Sequence, residues 1–135
     1  MTDSPEKQIG PRGRLAIQTI AMPKDANANG DIFGGWLMSQ MDLAGAVVAF
    51  ECAQGRVVTV AVDAMTFKRP VLIGDVVSCY AEILRIGRSS MTVHIQAWAR
   101  RRMSAGDMLQ VTEGNYTYVA IDDAGRPRAV PAAAR

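Results

Sequence analysis

A chain of 135 residues with 49% hydrophobic and 21% charged residues has the length and mixture of one globular domain, and neither disorder nor a fibrous architecture fits it. Such a length buries roughly two-thirds of the unfolded surface, enough for one core. The formal net charge of +2 is too small to point to a nucleic-acid partner, and the basic triplet Arg100, Arg101 and Arg102 reads as a solvated turn at a strand end.

The opening "MTDSPEKQIGPRGR" has no apolar h-region, and no run approaches the roughly eighteen apolar residues that span a bilayer. Export by a standard signal and membrane insertion are therefore not expected. Cys52 and Cys79 fall in element interiors without metal-ligand spacing, so they read as reduced core thiols of a cytoplasmic protein. Residues 1–12 and 132–135 are expected to be flexible ends around a single domain over 13–131, and the Pro- and Ala-rich stretch from Arg126 onward to be loosely held.

In chain order, "RLAIQTIAM" alternates loosely up to Pro23 and suits a first strand over Arg14 to Met22. An Asn/Gly-rich loop from Asp25 to Gly35 follows. Trp36 to Cys52 shows no alternation, contains no proline and is rich in helix formers, which predicts the one long helix. Val- and Thr-rich "GRVVTVAVDAMTFKRP" predicts a strand from Arg56 to Phe67, stopped by Pro70. Asp75 to Ile86 is the next, between Gly74 and Gly87. In "SSMTVHIQAWARR", Met91, Val93, Ile95, Ala97 and Ala99 take one face and Thr92, His94, Gln96 and Trp98 the other. "MLQVTEGNYTYVAID" supplies the last strand. Short connections favour antiparallel pairing, so the fold class is α+β, one helix against a curved five-stranded antiparallel sheet.

Projected at 100° per residue, Phe33, Leu37, Met41, Ala44, Val47 and Val48 share one helix side, and Trp36, Leu43 and Phe50 extend the apolar surface. A helix apolar nearly all round is expected to be wrapped by the sheet. Asp42 falls with Met38, Ser39, Gly45, Ala46 and Ala49. A carboxylate in such a setting needs donors or a function; a solvent-facing or partner-paired acid is the plain alternative. Gly34 and Gly35 precede the helix, where unpaired N–H groups and the positive dipole end could meet a substrate carbonyl, or where the glycines simply make a tight turn. Asp31 suits a capping role. Gly34 and Asp42 are eight residues apart, about 12 Å along a helix. If they share a site they belong to two helices, most simply in two subunits of a symmetric dimer.

"DANANGDIFGGWLMSQMDLAGA", "GRVVTVAVDAMTF", "GDVVSCYAEILRIGRSS" and "VTEGNYTYVAIDDAGRPRAVP" together resemble the bacterial YciA-like acyl-CoA thioesterases of the hotdog superfamily. The resemblance runs from about Leu15 to Pro131. It implies a hotdog fold that hydrolyses acyl-CoA to the carboxylic acid and CoA, between two subunits, with no metal or other cofactor. It carries the family's catalytic aspartate onto Asp42 and its loop asparagine onto Asn27 of the facing subunit, and it implies that the turn Gly87 to Ser90 and nearby basic residues hold the CoA part. A homodimer as minimal unit and a trimer of dimers follow from the same likeness.

These roles agree with the chemistry of the residues. N–H groups near Gly35 would stabilise charge on the thioester oxygen. Asp42 would act as general base on water or attack the thioester itself. Asn27 would orient the water or the carbonyl, unless it only holds an Asx-turn. Arg88 with Ser89 and Ser90 forms a credible anion site, though Gly-Arg-Ser is also an ordinary hairpin turn. Lys68, Arg69 and Arg126 are further candidates for CoA phosphates, alongside Gly34 near the thioester.

Rival readings are weaker on the residues. A hotdog dehydratase needs a histidine paired with an acid, and the only histidine, His94, sits mid-strand without a motif. A Ser-His-Asp hydrolase lacks both a suitable histidine and a Gly-x-Ser-x-Gly elbow. A non-catalytic acyl-CoA sensor would keep the pockets but has little use for an acid at Asp42.

Overall fold

A computed structural model describes residues 10–101 and 106–135. Strand β1 (Arg14–Ile20) leads through a loop to helix α1 (Gly34–Ala53), and β2 (Val57–Phe67), β3 (Val76–Ile86), β4 (Ser90–Arg100) and β5 (Leu109–Ala120) follow. The strands form one antiparallel sheet in the order β1-β3-β4-β5-β2. The α+β hotdog architecture expected from the sequence is the one observed. Residues 1–9, and Arg102 of the basic triplet, lie outside the described residues.

Helix α1 starts two residues before the expected Trp36. Its first internal bond runs from the Leu37 N–H to the Phe33 carbonyl at 3.3 Å, so both glycines belong to the first turn, where N–H groups have no internal partner in any case. The cap residue is Phe33 without a side-chain cap, which corrects the expected capping role of Asp31. The Asp31 backbone is instead engaged by the loop, its carbonyl accepting from the Asn27 N–H at 2.8 Å.

Met91, Val93, Ile95, Ala97 and Ala99 are all fully buried on the sheet face that meets α1, as their alternation predicts. From the helix, Leu37, Met41, Ala44, Gly45, Ala49 and Ala53 complete this core. The helix is not enclosed all round within one chain, because a single sheet covers one side of the cylinder. Leu43 and Phe50 on the far side are each 53% exposed, and Phe33 and Trp36 are not in the buried set.

Two terminal expectations are corrected. Arg101 is not a solvated turn residue: it pairs with the buried Asp75 and donates to the Pro70 carbonyl. The stretch after Arg126 is held down as far as Val130, which is fully buried and donates its N–H to the Arg88 carbonyl at 2.7 Å. At the other end Arg12 donates to Glu82 at 2.8 Å and, through its backbone, to Gln96 at 3.0 Å. No helix among the described residues is long and apolar enough to cross a membrane.

Candidate active site

Asp42 lies on α1 where the helix crosses β2 and β5. Its Oδ1 accepts from the Thr59 hydroxyl at 2.7 Å and from the Tyr118 hydroxyl at 3.0 Å, and its backbone carbonyl lies 2.8 Å from the same phenol. Thr59 and Tyr118 are register partners on β2 and β5, so one row of the sheet presents both donors to one oxygen. Among the described residues, Oδ2 receives no hydrogen bond. Tyr116, two residues earlier on the same face, donates to the Met38 carbonyl at 2.9 Å. Burial, and next the Asp42 charge, push both phenols well above their usual range, so both stay protonated donors.

Neither Thr59 nor Tyr118 was singled out from sequence. The available signal was the i, i+2 tyrosine pair in "NYTY": two phenols on one buried face of a strand each need an acceptor.

Gly45 faces the same place. A Cβ there would stand 2.2 Å from the Tyr118 hydroxyl and 2.6 Å from Ile95 Cδ1, so only glycine lets the phenol reach the helix backbone one turn away. The small residues predicted around Asp42 therefore make room for a tyrosine of the same chain.

The helix start is a separate place in the chain. Gly34 lines a cavity of about 320 Å³ with Ile32, Leu37, Phe67, Lys68, Arg69 and Val71, and Asp42 is outside it. A Cβ at Gly35 would meet nothing, and one at Gly34 would make ordinary contact with the Phe67 ring. Packing within the chain thus does not require the glycines, and the space before the first turn's N–H groups is open. Asn27 is in the loop leading to this end. Its Oδ1 accepts from the N–H groups of Asn29 at 2.9 Å and Asp31 at 3.2 Å, so it does hold the Asx-turn; among the described residues its amide nitrogen has no partner.

The residues expected to hold CoA phosphates are not brought together in one chain. Lys68 and Arg69 follow β2 at the helix-start end, whereas Arg88, Ser89 and Ser90 form the β3–β4 turn at the opposite end of the sheet, where Ser90 pairs with Val119 and Val57 with Ala120. Lys68 is bound to Glu113 at 2.7 Å and Gln110 at 3.2 Å, and Arg69 donates to the Gln110 carbonyl at 2.8 Å. Arg126 is largely exposed beside Asp122 at 3.9 Å. The β3–β4 turn, by contrast, lies only one row from the Thr59–Tyr118–Met91 row that holds Asp42. Arg128, not anticipated from sequence, donates to the Ala53 carbonyl at 2.9 Å and so closes the helix C-terminus.

The remaining titratable groups sit elsewhere. His94 is on the sheet face away from α1, with Nδ1 3.0 Å from Asn115 Oδ1 and Nε2 3.1 Å from Glu113 Oε1. Glu113 links it to the cavity residue Lys68 at 2.7 Å, but it lies on the opposite face of the sheet from the helix that carries Asp42. Burial pushes the Cys79 thiol up to about 12 and raises Cys52, consistent with inert core thiols.

One long helix against a five-stranded antiparallel sheet, with a carboxylate held by two donors and an open helix start in the same chain, is an arrangement compatible with a hotdog thioesterase. A family model of the thioesterase superfamily matches residues 29–105. The chain is 54% identical to the acyl-CoA thioester hydrolase YciA of Escherichia coli K12 over 123 residues, covering 90% of this chain and 93% of that one. Among solved structures it resembles a hexameric thioesterase from Yersinia pestis, with TM-score 0.87, 57% identity and 90% and 99% of the two chains covered. It also resembles a hexameric broad-specificity acyl-coenzyme A thioesterase crystallised as an aspartate-to-alanine mutant, with TM-score 0.86, 50% identity and 90% and 88% covered. The chain belongs to the thioesterase superfamily, among its YciA-like acyl-CoA thioester hydrolases.

Proposed function

We propose that this chain hydrolyses acyl-CoA thioesters to the carboxylic acid and CoA at a site shared by two protomers, with Asp42 as general base. The observation that carries this reading is the Asp42 carboxylate, whose Oδ1 is held by Thr59 and Tyr118 while Oδ2 has no partner among the described residues. An oxygen so fixed and unoccupied is placed to take a proton from water as the water attacks the thioester carbon. Two donors on Oδ1 also draw charge away from attack by the carboxylate itself, which favours the general-base route.

The developing oxyanion needs donors, and the first-turn N–H groups at Gly34 and Gly35 supply them, aided by the helix dipole. Within one chain these lie about 12 Å from Asp42 along the axis, too far for both to act on one carbonyl. The carbonyl therefore sits at one protomer's helix start and faces the partner's carboxylate. Asn27, whose amide nitrogen has no partner among the described residues, approaches the carbonyl or the water from the helix-start side. Arg88, Ser89 and Ser90, near the Asp42 row, take the CoA phosphates from the Asp42-bearing protomer. The chemistry uses no metal or organic cofactor.

The pairing surface is available. Strand β2 is a sheet edge with Val58, Val60 and Val62 exposed, a template for addition of another strand. Beside it, Leu43, Ala46, Val47 and Phe50 of α1 line an open apolar groove of about 600 Å³ with Ile17 and Val57. A second copy brought to this face buries both, and the hexameric state of the similar thioesterases supports a trimer of such dimers.

The test is release of free thiol from a short straight-chain acyl-CoA by wild type and Asp42→Asn. Wild type is expected to turn over and the variant to lose about 10²–10⁴-fold in kcat with its oligomer intact. Turnover by Asp42→Asn near the wild-type rate would overturn the mechanism, and binding without turnover by wild type would make the chain an acyl-CoA sensor.

A further inference from the structure

We propose that Tyr118, working through the clearance left by Gly45, is a positioning residue that fixes the Asp42 carboxylate for base catalysis. The inference rests on Asp42 being the base and goes beyond it, because nothing in the base chemistry itself requires a phenol.

The argument is geometric. Tyr118 is fully buried, and its hydroxyl reaches two oxygens of one residue, the Asp42 carbonyl at 2.8 Å and Oδ1 at 3.0 Å. The single phenol proton is shared between these two acceptors, and such a bifurcated bond to backbone and side chain of the same residue restricts how the carboxylate turns about the helix. With Thr59 at 2.7 Å on the same Oδ1, the carboxyl plane is held from two strands and Oδ2 becomes the reacting oxygen. The phenol's position depends on Gly45, where any Cβ would collide with it at 2.2 Å. Tyr116 provides the internal contrast: its hydroxyl makes an equivalent tie to the helix, to the Met38 carbonyl at 2.9 Å, without touching the carboxylate. Burial keeps the Tyr118 phenol protonated, so its role is to donate, not to exchange a proton with the substrate.

The experiment compares full-length Tyr118→Phe and Tyr116→Phe, with hexanoyl-CoA as the probe and the separate changes in kcat and KM as readouts. Each variant removes one buried hydroxyl tied to the helix, so both are expected to unfold at somewhat lower temperature. Tyr118→Phe is expected to lower kcat roughly 10- to 100-fold with KM little changed. Tyr116→Phe is expected to keep the wild-type kcat. Equal loss of kcat in both variants, or a wild-type kcat in Tyr118→Phe, would overturn the proposal. If Tyr118→Phe fails to assemble, 4-fluorophenylalanine at position 118, which fills the place of the hydroxyl without donating a hydrogen bond, is expected to show the same loss of kcat; a wild-type kcat overturns it equally. Full turnover in Asp42→Asn sinks the underlying mechanism, whereas a dead Asp42→Asn beside an unaffected Tyr118→Phe sinks the positioning role alone.

Discussion

Thr59 on the edge strand β2 donates its hydroxyl to Asp42 on α1 at 2.7 Å, so the carboxylate is tied to a strand that itself forms the margin of the sheet. A hydrogen bond to a charged acceptor contributes about 1.5–3 kcal/mol, and here part of that is spent on orientation. Thr59→Ala is expected to lower kcat about tenfold while KM for a short acyl-CoA stays within a factor of two or so. Thr59→Ser, which keeps the hydroxyl, should restore most of the rate. A Thr59→Ala enzyme with wild-type kcat would show that the bond does not serve turnover.

The close passage of Tyr118 beneath Gly45 makes a stability prediction independent of catalysis. Gly45→Ala places a methyl 2.2 Å from the phenol oxygen and 2.6 Å from Ile95 Cδ1, in a fully buried corner. Overpacking costs about 1–3 kcal/mol, against a gain of up to about 1 kcal/mol in helix propensity. Net destabilisation is expected, read as a lower Tm in thermal unfolding. A rise in Tm would mean that helix propensity wins and that the corner relaxes freely.

The fold was legible because its periodicities are strong. The run Met91 to Ala99 alternates without a break and all five inward residues are buried, and the proline-free stretch after Gly35 is indeed the helix. Asp42 stood out for the same reason, as a charge set against a clear apolar pattern. Its partners were hidden because they depend on register: irregularities between Thr59 and Ala61 and between Asp63 and Thr66 shift β2 against β5, and no local pattern announces such a shift. Arg101 and Arg128 were misread or missed for a related reason. Their acceptors, Asp75 and the Ala53 carbonyl, are distant in sequence, and an arginine in a turn looks the same whether solvated or bound. The exposed far side of α1 was misjudged because amphipathicity read on one chain does not say which apolar face meets its own sheet and which is left for another copy.

Lys68 and Glu113 give a pH-dependent prediction. The Lys68 ammonium, first by hydrogen bond at 2.7 Å, holds the Glu113 carboxyl below its usual range, with Gln96 and His94 acting in the same direction. A carboxyl depressed in the folded state stabilises above its unfolded value and ceases to do so as pH falls through its folded value. Both side chains are partly exposed, so the pair contributes no more than about 0.2–1 kcal/mol. Lys68→Met is therefore expected to be slightly less stable than wild type at neutral pH, the difference closing at a pH low enough to protonate Glu113. Denaturant unfolding at a series of pH values measures it, and a gap that persists in acid would assign the effect to packing of the lysine stem instead.

The proposed two-protomer site has a sharper test than any single substitution. If one protomer's helix start works with the partner's carboxylate, two inactive chains can complement each other. Asp42→Asn removes the proposed base, and Gly35→Val fills the open space before the first-turn N–H groups. In a mixed dimer one site carries both defects and the other neither, so random pairing of equal amounts should restore about one quarter of wild-type sites. Free thiol release by the unseparated, co-expressed mixture measures that fraction, and mixed dimers isolated with two affinity tags should show one intact site in two. If Gly35 and Asp42 instead served one site within a single chain, every site in the mixture would carry a defect and no activity would return. Val60→Lys, which sets a charge on the β2 edge where a neighbouring strand would add, is expected to give monomers that remain folded and inactive. A monomeric Val60→Lys chain with full turnover would contradict the two-protomer site from the opposite side.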